Sequence, residues 1–236
     1  MPPSSNKLNT QKYTMDPRQI AKIITEDPDV MSEAIIEPEL PDLEWIIGPY
    51  LHQPLPRIEN ALNRALEPYR IRFIKTADFI RIAEENGLAP PPREGPGVYT
   101  AATSPINGDI FILYNPRHYA FIPAVKMIED MLEHELVHRA QVERGASDTV
   151  DPSDKESYLS NKQEMMAFAK SVASGLKDFP PLYVKDILRG EEIEDMGQFA
   201  MPWQRLLNMY RDVGGEPYRR FLRYLYDYLV SQGTIE

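Results

Sequence analysis

FIPAVKMIEDMLEHELVHRAQVE, residues 121–143, is the stretch around which the rest of the chain can be organised. Val125, Ile128, Leu132 and Leu136 recur every three or four positions, the spacing of one apolar helix face, and Gly145 supplies a stop. The spacing predicts a long helix from about Phe121 to Glu143. Within it, His134-Glu135-Leu136-Val137-His138 sets two imidazoles four positions apart, on one helix face, where both can reach a single ion. Glu135 lies roughly 100° further round the helix than His134 and can lean toward a metal-bound water without becoming a ligand, which is the position of a general base. With four histidines in the chain, random placement gives this pattern with a probability of roughly 0.005, so chance explains it poorly.

Upstream, Val98 to Thr103 and Asp109 to Tyr114 are β-prone runs, and Asn107-Gly108 between them is a hairpin signal. Ala89 to Gly97, APPPREGPG, reads as a surface loop. Before it, Arg57 to Glu67 carries Ile58, Leu62 and Leu66 at helical spacing, Arg70 to Lys75 alternates as a half-buried strand, and Ala77 to Glu85 returns to helix. Downstream, Gly145 to Ser157 is an acidic, turn-rich loop and Tyr158 to Leu176 reads as a second long helix. Tyr183 to Arg189, Trp203 to Arg211 and Tyr218 to Ser231 are three further helices. The reading is α+β and mostly helical, with a short sheet beside the motif helix. It divides the chain into a polar tail (1–16), a helix-and-strand segment (17–96) and a core with C-terminal helices (97–236), the last two packed as one unit.

Composition narrows the chemistry. A formal charge of -10 argues against a general nucleic-acid surface. No apolar run approaches the roughly 18 residues of a membrane span, and the first sixteen residues lack the pattern of a secretory signal. These features lead us to expect a cytoplasmic protein, with neither nucleic acid nor membrane as partner. There is no cysteine, so a metal site here must use His and carboxylate ligands. A catalytic zinc takes three protein ligands and keeps a position for water. A third histidine six residues after His138 is absent, since Arg144 stands there and Gln141 stands where that pattern has glycine. The remaining candidates are Asp148, Asp151, Asp154 and Glu156 in the loop, and Glu164 in the next helix. Glu164 is preferred because a helix packed on the motif helix holds a ligand more rigidly than a loop does, and Ala167, Ala169 and Ser171 allow close approach.

His134-Glu135-x-x-His138 followed by Glu164-Met165-Met166-Ala167-Phe168-Ala169 resembles the gluzincin branch of the zincin metallopeptidases. Tyr158-Leu159-Ser160-Asn161 is similar to the stretch before the glutamate in zincin-like metallopeptidases, many of them phage-encoded. The resemblance covers about residues 97–175. It implies a small zincin core in which a short sheet backs two metal-bearing helices, one zinc ion on His134, His138 and Glu164, and peptide-bond hydrolysis with Glu135 as base. The longer family pattern often has an Asp shortly after the glutamate to support a zinc-bound His; here those positions hold Ala167, Phe168 and Ala169.

If Asp109 to Tyr114 is an edge strand beside the cleft, the backbone groups of Ile110, Phe111, Ile112 and Leu113 can align an extended peptide substrate by strand addition. Tyr99, Tyr158, His118 and several C-terminal tyrosines are available as oxyanion donors without a pattern that selects one. His118 and His52 read as surface residues, and the aromatic residues of the final helix as core. The alternative to an enzyme is an assembly protein, such as a virion component of a phage, that keeps a zincin fold and meets its partners through the N-terminal tail or the final aromatic helix.

Overall fold

Three strands, β1 (Ile71–Lys75), β2 (Thr100–Thr103) and β3 (Ile110–Tyr114), form one sheet in the order β1-β3-β2. The structure is a computed structural model, and it describes residues 40–85, 100–116, 125–146, 154–189 and 202–236. The tail, the loop over Ala89 to Gly97, His118, Asp148 and Asp151 lie outside the described residues. β1 runs parallel to β3 and β2 antiparallel to it, and the expected hairpin is present, closed by Ser104 N–H donating to Asp109 O at 2.8 Å.

The strand order corrects one expectation. Ile110, Phe111, Ile112 and Leu113 are not on an edge: each has a paired neighbour on both sides, and all four side chains are buried. An unbroken apolar run suits the middle of a sheet covered on both faces, because an edge or half-solvated strand would show polar alternation. Among the described residues the edges are β1 and β2. On β1 the Asn63 side chain acts as a substitute strand, with Nδ2 donating to Phe73 O at 2.9 Å and Oδ1 accepting from Phe73 N–H at 2.7 Å. Among the described residues β2 has β3 as its one strand neighbour.

The helices are, in chain order, α1 (Leu43–Ile47), α2 (Leu55–Leu66), α3 (Thr76–Glu85), α4 (Val125–Glu143), α5 (Lys155–Ser160), α6 (Lys162–Leu176), α7 (Pro181–Leu188), α8 (Pro202–Val213) and α9 (Gly215–Ser231). The fold is thus α+β and mostly helical. α1 was not anticipated, and the expected helix over Tyr158 to Leu176 is two helices. Asn161 breaks it: the residue is extended (φ -69°, ψ 129°) and its Oδ1 accepts from the N–H groups of Gln163 and Glu164. That is an N-cap, which satisfies donors that a new helix leaves open.

Two main apolar clusters share α4. Ile71, Phe73, Ile110, Ile112 and Tyr114 on one sheet face pack with α1, α2 and the Ile128, Leu132 and Leu136 stripe of α4. Val137, on another side of α4, belongs to the cluster built from α6 to α9. On the opposite sheet face, Phe111 and Leu113 pack against Phe79 and Ala83 of α3. α4 ends at Gly145, whose φ of 82° lets Ala146 N–H turn back to Gln141 O at 2.9 Å. Arg139 fastens the same end to the sheet, donating to the carbonyls of Gly108 (2.7 Å), Tyr69 (2.8 Å) and Arg70 (2.9 Å). Among the described residues no helix is long and apolar enough to cross a membrane.

Candidate metal centre

The four-residue spacing on α4 brings the two imidazoles together, with His134 Nε2 and His138 Nε2 3.1 Å apart. The cap at Asn161 places Glu164 in the first turn of α6, where the helix dipole favours a carboxylate. Because Asn161 N–H donates to Tyr158 O, the cap does not draw the Glu164 carboxylate back toward itself. Its Oε2 instead lies 3.6 Å from His134 Nε2 and 3.4 Å from His138 Nε2. The three donor atoms form the one His/carboxylate group among the described residues that could hold a metal ion.

The donor set fits zinc in geometry and chemistry. Ligands about 2.05 Å from an ion at tetrahedral angles stand about 3.3 Å from one another, and the three edges are 3.1, 3.4 and 3.6 Å. Glu164 Oε2 is buried and no described group hydrogen-bonds it; its contacts with the histidines are those of an ion pair. Two nitrogens and a carboxylate oxygen converging in this way need a cation among them, either a proton or a metal. Burial opposes charge on Glu164, but the two imidazoles outweigh it and hold the carboxyl well below the usual carboxylate range. Burial likewise opposes charge on His138, but the Glu164 carboxylate outweighs it and pushes the imidazole up to about 9.

Glu135 points to a different neighbour. Its carboxylate Oε2 lies 2.7 Å from Thr103 Oγ1, on edge strand β2, and the same hydroxyl is 2.9 Å from the Glu135 carbonyl. The expected base is therefore buried at the junction of α4 and the sheet edge rather than exposed on a helix face. Phe168 packs on His134 with ring centres 4.7 Å apart and is flanked by Tyr158 and Tyr210. Burial, reinforced by the charge of Glu164 and a hydrogen bond to it, pushes the Tyr158 phenol far above its ordinary value. Burial and the same carboxylate raise Tyr210.

Of the other positions considered, His52 is exposed, and Asp154 caps α5 by accepting from Ser157 N–H at 3.2 Å. Ile110, Phe111, Ile112 and Leu113 lie in the sheet centre and offer no free edge. Two residues escaped the sequence reading. Thr103 carries no motif, and its role depends on strand order. Gln141, 4% exposed, has Oε1 2.9 Å from His138 Nδ1 and Nε2 3.2 Å from Gln163 O. Its i+3 spacing from His138 was the available signal.

Comparison of the chain with protein-family models, with curated proteins and with solved structures finds no match.

Proposed function

We propose that this chain is a zincin-type zinc peptidase, with His134, His138 and Glu164 as ligands of one zinc ion and Glu135 as general base. What carries the reading is the convergence of the three donor atoms at tetrahedral edge lengths beside a buried glutamate. Zinc supplies Lewis acidity, which makes water a nucleophile near neutral pH and polarises a substrate carbonyl. Glu135 takes the proton of the attacking water and returns it to the leaving amine. Thr103 holds the Glu135 carboxylate through its hydroxyl and so limits the positions that the base can adopt. With β3 in the sheet centre, strand addition by an extended peptide falls to the outer edge of β2, one residue of which, Thr103, touches the base.

The test is Glu135→Gln. It should bind one equivalent of zinc, as wild type does, and lose hydrolysis of a peptide library by about 100-fold or more. Unchanged hydrolysis removes the mechanism. Less than about one equivalent of zinc in wild type removes the ligand set.

A further inference from the structure

Gln141 joins the two helices that bring the three proposed ligands together, and its amide settles a question of proton placement. A peptide carbonyl can only accept a hydrogen bond, so the end of the Gln141 side chain that meets Gln163 O at 3.2 Å must be its NH2 group. The end that meets His138 at 2.9 Å is then the amide oxygen, itself only an acceptor. An acceptor at that position requires the hydrogen on Nδ1. With Nδ1 protonated, the neutral ring carries its lone pair on Nε2, which is the atom that faces His134 and Glu164. A backbone carbonyl of α6 thus dictates, through one amide, which nitrogen of a residue on α4 is able to act as a ligand.

The residue is placed to do this without competition from water. Gln141 is 4% exposed, and Gln163, whose carbonyl it engages, immediately precedes Glu164. The one side chain therefore sets the tautomer of His138 and ties it to the turn that holds Glu164. We infer that Gln141 is a positioning residue that fixes His138 in the Nδ1–H form and locks the α4 and α6 ligands in register. The tautomer assignment stands on the hydrogen bonds alone, whereas its consequence for metal affinity rests on the proposed zinc site.

Gln141→Leu removes both bonds at similar size. Gln141→Glu keeps an acceptor for His138 Nδ1–H but sets a carboxylate against the Gln163 carbonyl, so it separates the two bonds. The first readout is the His138 Nδ1–H resonance in histidine-labelled, metal-free protein, whose fold is verified by circular dichroism. That proton stays on Nδ1 whether or not Nε2 is protonated, so the signal should be protected in wild type, lost to exchange in Gln141→Leu and recovered in Gln141→Glu. The second readout is zinc affinity by chelator competition. It should fall roughly 10- to 100-fold in Gln141→Leu, as expected when the partner of a metal-binding histidine is removed, and partly recover in Gln141→Glu. A wild-type His138 that carries its proton on Nε2, or an Nδ1–H signal indifferent to both substitutions, overturns the inference. Equal zinc affinity in wild type and Gln141→Leu overturns it while leaving the zinc site standing. Protection of Nδ1–H that follows Gln141 in a protein that binds no zinc sustains the positioning role and removes the zinc site.

Discussion

Substituting alanine at Gly175 separates two physical effects of opposite sign. On helix propensity alone, Gly to Ala within α6 should stabilise the protein by about 1 kcal/mol. The packing against α8 argues the other way. A β-carbon at Gly175 would lie 2.6 Å from Trp203 Cδ1 and 2.8 Å from both its Cβ and Cγ, whereas carbon atoms in contact rest about 3.5–4.0 Å apart. The indole has little room to withdraw, being 4% exposed and set edge-on to Phe179 with ring centres 5.6 Å apart. Overpacking of this kind costs about 1–3 kcal/mol, so after the propensity gain the net effect is a destabilisation of up to about 2 kcal/mol. In a chain of this size that lowers Tm by up to roughly 8 °C, measurable by calorimetry. Zinc affinity should hardly change, because Gly175 is three turns, about 16 Å, along α6 from Glu164. In a Trp203→Ala background only the 2.8 Å contact with Cβ remains, on a side chain that no ring holds in place, so the same substitution should be clearly less destabilising, a coupling of about 1–2 kcal/mol. A raised Tm for Gly175→Ala in the wild-type background, or an equal shift in both backgrounds, would refute the packing argument.

Three further predictions concern the site and its frame. In protein kept metal-free by chelator, the raised His138 contributes stability that is full below pH 6.5 and lost as pH rises through about 9. The lowered Glu164 contributes stability that is present above pH 4.5 and lost as pH falls below it. The pair is thus most favourable between those limits, and unfolding free energies from urea titrations at pH 6 and pH 9.5 should differ by on the order of 3 kcal/mol, a difference that disappears in His138→Gln. Thr103→Val should leave zinc content unchanged and lower kcat roughly tenfold, the loss of one hydrogen bond to a charged group; an unaltered kcat would show that Glu135 does not need the hydroxyl. Arg139→Met takes this donor from the carbonyls of Gly108 and Tyr69, whereas Arg70 O keeps the N–H of Ile110 at 3.0 Å, and should destabilise by about 1–3 kcal/mol in thermal melts.

Local patterns with strong physical signals were readable before any coordinates. The α4 helix and its His pair follow from i, i+4 geometry, the hairpin from Asn107-Gly108, and the Glu164 pairing from the argument that a helix holds a ligand better than a loop. Strand order was not readable in the same way, because it depends on which strands find partners. The apolar run Ile110 to Leu113 carried a hint in its lack of polar alternation, while Thr100–Thr103, small and half-buried, looked unremarkable and proved to hold the edge. The break at Asn161 was legible in principle: an Asn with a Glu three residues on is a helix-start pattern, outweighed in the reading by the apolar periodicity on either side. Helix α1, at five residues, is too short to display a period. Thr103 meets a neighbour distant in sequence, and Gln141, although its i+3 spacing from His138 is local, has its second partner on another helix, so those two contacts emerge only with the tertiary arrangement.

The position of α4 between two apolar clusters bears on how the chain behaves as a polymer. The sheet-side cluster and the α6 to α9 cluster could each condense from largely separate stretches of sequence, meeting along one helix. An ion shared by His138 and Glu164 would then be a staple across that seam, closing a loop between residues 26 positions apart. A covalent cross-link over a loop of that length restricts the unfolded chain by about 3–4 kcal/mol of entropy. Stripping the ion would therefore do more than remove an electrophile: it would loosen the cooperativity between the two halves, and melting should pass from one transition toward two.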